Sequence, residues 1–203
     1  MTPRHMSPDP TSPGLASLGS APSSGAQGLY GPRGWTVRAG VWMLLAPWVP
    51  SARSSLHRAP AAASTVAPAE DYVPFRGLDT ATARELLSVL PGRALSDRQN
   101  RAPSLGALLA ACASADGSVR LSGYGIGPQR EDERLSVEAV WVGDTDLAEY
   151  KVDERHGPGC QCDSLWQAVA RRYRLDAQDG PDEVLRTRPE WAGGAQGWRL
   201  WWD

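Results

Sequence analysis

Lysine is nearly missing from this 203-residue chain: Lys151 stands beside 20 arginines. Phenylalanine occurs once, and cysteine and histidine three times each. Three cysteines leave one over, so a disulfide framework is not expected. No apolar run reaches the roughly 18 residues that a membrane-spanning helix needs. There is no excess charge of one sign either, with 21 basic against 23 acidic residues and a net of −2. That balance argues against a nucleic-acid binder, which needs a basic surface. The sequence also lacks a Gly-x-Ser-x-Gly elbow, a His-Glu-x-x-His pair and a Walker-type loop. The familiar hydrolase, zinc-peptidase and nucleotide-hydrolase constellations are therefore excluded.

What is present divides the chain near residues 66–72. The first 70 residues hold 10 Pro, 7 Gly and 10 Ser, while Leu, Ile, Val and Phe supply only ten positions. That composition is too poor in apolar side chains for a core, and it reads as a disordered, low-complexity segment. The arginine bias is typical of GC-rich coding. It offers a second reading of residues 1–70, a start set too early, with Met43 as an internal candidate. Within this segment Ala39–Val49 is apolar, follows Arg33 and Arg38, and precedes Ala61-Ala62-Ala63, as a secretory signal would. It lies deep in the chain, and Arg53, His57 and Arg58 intervene. A cytoplasmic location is the expectation, with secretion through Ala39–Val49 as the alternative.

Residues 71–203 carry 26 Leu, Ile, Val and Phe together with six of the nine tryptophans. They are expected to form one domain able to bury a core. Ala83, Leu86, Leu87 and Leu90 share one helical face behind a cap at Asp79 or Thr80, and Pro91-Gly92 ends that helix. Leu105, Leu108, Leu109 and Cys112 repeat the spacing after Ser104. Residues 118–126 and 133–142 alternate as strands, with Leu135, Val137, Ala139 and Trp141 opposed to Ser136, Glu138 and Val140. A third strand is expected over 147–152. A third helix runs over 163–174, capped by Asp163 or Ser164, and a short helix follows Pro181 through Arg186. The end, 197–203, is a strand with Trp198, Leu200 and Trp202 opposed to Arg199 and Trp201. The order ααββ(β)ααβ gives an α+β domain with a small antiparallel sheet of three to four strands packed by three to four short helices.

Few residues could carry chemistry. His156, Cys160 and Cys162 place an imidazole and two thiols on a Gly/Pro loop, three soft ligands for zinc or copper. A fourth ligand is not evident, and Cys-x-Cys is not the usual zinc spacing. Cys112 fits a helix core face better. The same two thiols near a helix start could instead be redox-active, because the helix dipole lowers a thiol pKa. The plainer reading is a turn-rich loop, with no cofactor. The glycines of 123–127 precede a strand rather than a helix, so they are not a phosphate loop. They are read as making room for a large neighbour such as Trp141. Asp144 and Asp146, and the cluster Asp176, Asp179, Asp182 and Glu183, read as solvated acidic turns.

Two binding surfaces remain. Arg98 and Arg101 precede the helix at Ser104 and could dock a small acidic ligand, or pair with the chain's own acids. Trp201 and Arg199 share the strand face opposite the core, and those residue types dominate interface energetics. The sequence therefore favours a non-enzymatic module that binds a protein or a small acidic ligand. The competing class is a metal or thiol protein built on His156, Cys160 and Cys162.

Overall fold

A computed structural model describes residues 26–50, 67–153, 155 and 157–203. The fold is α+β, built on one five-stranded, wholly antiparallel sheet in the order β1-β2-β3-β5-β4. The strands are β1 (Tyr72–Leu78), β2 (Val119–Ile126), β3 (Arg134–Val142), β4 (Glu183–Thr187) and β5 (Gly197–Trp201). Among the described residues six helices accompany it: α1 (Trp35–Arg38), α2 (Val41–Leu45), α3 (Thr80–Val89), α4 (Gly92–Leu95), α5 (Leu105–Ser114) and α6 (Cys162–Tyr173). None is long and apolar enough to cross a membrane.

The caps read from the sequence form at two of the three long helices. The Asp79 carboxylate accepts from the Thr82 amide at 2.9 Å, and the Ser104 hydroxyl from the Ala107 amide at 3.3 Å. Each satisfies an amide left open by the first helical turn. Helix α6 instead starts at Cys162, and its N-cap Gln161 makes no side-chain cap bond. Val119, Leu121, Val140, Val142 and Leu200 point to one side of the sheet. They share a core with Leu108, Leu109 and Cys112 of α5 and Leu165 and Val169 of α6.

The sheet is larger than the three to four strands expected. Strand β1 escapes the alternation pattern because Pro74 and Gly77 interrupt it. An edge strand tolerates the proline, since its outward positions need no amide, and the Gly77 amide donates to the Ser122 hydroxyl at 3.2 Å. Residues 183–187 pair with β5 and are strand rather than helix. Residues 145–149 form a 3₁₀ turn where a strand over 147–152 was expected.

The division of the chain also shifts. Trp35, Val41, Trp42, Leu45 and Val49 are buried in the main core, so residues 35–49 belong to the folded body. Their anchor is Glu133, which is fully buried. Its carboxylate accepts from the Gly34 amide at 2.6 Å, the Thr36 amide at 2.8 Å and the Thr36 hydroxyl at 2.5 Å. The Trp42 indole N–H donates to the Thr36 hydroxyl at 2.8 Å, extending the network inward. Buried charge is tolerated only when hydrogen-bonded in this way. Composition averaged over 70 residues conceals three tryptophans and the donors that hold them. A methyl group at Gly125 would lie 2.7 Å from the Trp42 ring. The glycines of β2 thus make room for Trp42 and for strand β3, while Trp141 packs against Gly143 and Gly197.

Candidate functional site

Two irregularities in the sheet, at the same level, shape the face opposite the core. Between Ser122↔Ala139 and Gly123↔Val137 strand β3 carries one extra residue, Glu138. A bulge shifts the side-chain phase by one. Leu135 and Val137 therefore face the core before Glu138, and Val140 and Val142 after it. Ala139 and Trp141 are turned to the opposite face, correcting the continuous alternation expected for this strand. On β1 the register slips between Phe75 and Leu78, so Arg76 and Gly77 together oppose Ser122. Gly77 has φ +70, a left-handed conformation that glycine adopts without a Cβ penalty. A Cβ there would also strike the Trp191 ring at 2.5 Å.

Between these bulges lies a groove of about 530 Å³, within the size range of small-ligand pockets. Tyr72, Trp141, Trp191 and Trp201 line it with Arg76, Glu138 and Arg199. Trp191 comes from the turn after β4 and stands edge-on to Trp141, ring centroids 5.3 Å apart. The Trp141 indole N–H is buried without a hydrogen-bond partner among the described residues.

The charges in the groove are unequally engaged. Arg199 pairs with Glu183, and its guanidinium carbon lies 5.6 Å from the centre of the Trp201 ring. Glu138 is half-buried, and no hydrogen bond or ion pair to its side chain occurs among the described residues. Burial pushes its carboxyl above the ordinary carboxylate range; Arg199 opposes that shift and Asp203 adds to it.

Trp201 and Arg199 are brought together as their spacing suggested, half-buried on the face opposite the core. Trp198 and Trp202 are buried, with indole N–H groups donating to the carbonyls of Leu147 and Asp179. Glu138, Trp141, Trp191 and Arg76 were missed. A bulge has no signature in hydrophobic alternation, and Trp191 reaches the groove only through the turn after β4.

The other candidates lie elsewhere. Arg98 donates to the Asp176 carboxylate at 2.7 Å and to the carbonyls of Ala102 and Asp176. Asp176 also accepts from the Ser104 amide at 2.8 Å. Arg101 pairs with Asp179 at 2.8 Å. The chain's own acids thus occupy the anion position expected at this helix start.

His156 lies outside the described residues. Among those described, no three His, Cys, Asp or Glu side chains form a group suited to a metal ion. Cys160 Sγ accepts from the Asp153 amide at 3.4 Å. Its side-chain hydrogen bond to Cys160, with burial, pushes the Cys162 thiol up rather than down. That is opposite to the activated thiolate a redox site wants. Cys112 is core: its thiol donates to the Val119 carbonyl at 3.3 Å, and burial pushes its pKa up to about 12.

Comparison of the chain with known protein families, with curated proteins and with solved structures finds no match.

Proposed function

We propose that the protein is a binding module whose sheet face opposite the core takes a segment of a partner protein, with Trp201 and Arg199 among its anchors. The observation that carries this reading is the groove: about 530 Å³, walled by aromatic rings and holding both signs of charge. A sheet face with no further role can be covered by helices or paved with small polar residues. Here two bulges and a tryptophan-bearing turn instead leave a concavity bordered by Trp191 and Trp201. Tryptophan and arginine are the residue types that concentrate binding energy at interfaces. The Arg98/Arg101 loop is the weaker docking surface because neither cation lines the groove and both hold carboxylates, whereas Arg199, although paired with Glu183, lines the groove beside Trp201.

The test is selection of random dodecapeptides on the full chain, followed by affinity measurement against Trp201→Ala. Peptides that bind the wild type and lose about tenfold or more on the variant support the module, since removal of an interface anchor costs that much. Peptides that bind both proteins equally, or a selection that enriches nothing, refute it.

A further inference from the structure

Resting on the binding-module reading, we propose that the groove receives an arginine side chain of the partner polypeptide, its guanidinium paired with Glu138 and its plane laid against the surrounding indoles. The argument starts from charge complementarity. The bulge on β3 turns Glu138 into the groove alongside Ala139, which pairs across the sheet with Trp201. A half-buried carboxylate without a hydrogen bond or ion pair gains more from a cation than a solvated one does, because water screens it less.

Among the described residues no cation fills this position. Arg199, the cation nearest in influence to Glu138, gives its hydrogen bond to Glu183 and stacks on Trp201. Arg76 is exposed and lies across the groove on β1. Asp203, the other charge acting on Glu138, is negative and adds to the demand for a counter-ion. Arginine fits better than lysine here. Its flat guanidinium can grip a carboxylate with two hydrogen bonds while resting on an aromatic face. Trp141 and Trp191 line the groove with Trp201, over whose ring Arg199 already lies, and tryptophan is the strongest partner for a cation.

The experiment is a titration of the full chain, followed by the indole N–H resonances of Trp191 and Trp201 assigned through Trp→Phe variants. The probes are the N-acetyl methylamides of arginine, of citrulline (its neutral isostere) and of glutamate. The arginine probe is expected to shift these resonances saturably, with a Kd on the order of millimolar for one ion pair and one stack. Citrulline should bind at least about tenfold more weakly, and Glu138→Gln should lower the arginine affinity to the citrulline level. Equal response to arginine and citrulline, a stronger response to glutamate, or an unchanged arginine affinity in Glu138→Gln overturns the proposal. So does concentration-dependent dimerisation that covers the same indoles. The citrulline comparison is made on the unaltered protein, so it stands even if the variant folds poorly. Selected peptides that depend on Trp201 but not on Glu138 would remove the arginine and leave the module. Absence of any selected peptide that depends on Trp201 would remove both.

Discussion

Replacing Trp42 by alanine tests whether the segment before residue 50 is integral to the fold. Trp42 is 1% exposed and shares the main core with Leu45 and the buried sheet face. A buried indole removes about 150–250 Å² from water, worth roughly 4–6 kcal/mol at about 25 cal/mol per Å². Measured tryptophan and phenylalanine truncations in cores cost about 3–5 kcal/mol, so a loss near 4 kcal/mol is expected. With a urea m-value of about 2 kcal/mol per molar, the midpoint should fall by about 2 M. Circular dichroism of the full chain in urea is the assay, because nine tryptophans confound fluorescence. A companion substitution sharpens it. Gly125→Ala would place its methyl 2.7 Å from Trp42 Cη2 and 2.8 Å from Cζ3. Such overpacking costs about 1–3 kcal/mol. In the Trp42→Ala background that cost should shrink to within about 0.5 kcal/mol of zero, the signature of direct contact. A loss below about 1 kcal/mol for Trp42→Ala, or additive behaviour of the pair, refutes the packing described.

Glu133→Gln should cost about 2–3 kcal/mol in the same assay. It takes the charge from a carboxylate that accepts from Gly34 and Thr36, and hydrogen bonds to charged groups are the stronger kind. A variant as stable as the wild type would contradict the network. Thiol titration at pH 8 should modify Cys160 and Cys162 in the native protein, but Cys112 only after unfolding, since burial holds its pKa at about 12. Native labelling of Cys112, located by peptide mapping, would refute its placement. Asp176 is pushed up by burial, but its bonds from Ser104 and Arg98 outweigh that and hold it below the ordinary value of 3.8. A depressed folded-state pKa adds stability above the unfolded value and loses it as pH falls through the folded one. Stability should therefore decline below about pH 4, and less steeply in Asp176→Asn, as thermal melts across that range will show. Equal slopes would contradict the pairing.

The residues that alternate cleanly were legible in the sequence. Trp198 and Trp202 fall in the core and Trp201 with Arg199 on the open face because β5 keeps a period of two. Asp79 and Ser104 announced their helices because capping is local chemistry. What was hidden depends on contacts distant in the chain. Trp35 and Trp42 lie in a Pro- and Gly-rich stretch, and their burial rests on Glu133, about a hundred residues away. Strand β4 follows Pro181, which fits a helix start as well as a turn; pairing with β5 decides for strand. Glu138 looked like an ordinary outward residue. Only the register of β3 against β2 reveals the extra residue, and that register is set by the partner strand. The half of the groove on β5 could thus be read from the sequence. The half made by the two bulges and Trp191 could not.

The most direct measurement of the central claim compares the affinity of one selected peptide for the wild type, for Trp201→Ala and for the double variant Arg98→Ala, Arg101→Ala. Binding at the sheet face predicts a loss of about tenfold or more for Trp201→Ala, with less than about a twofold change for the double variant. A loss confined to the double variant would place the binding surface at the loop before α5 and contradict the account.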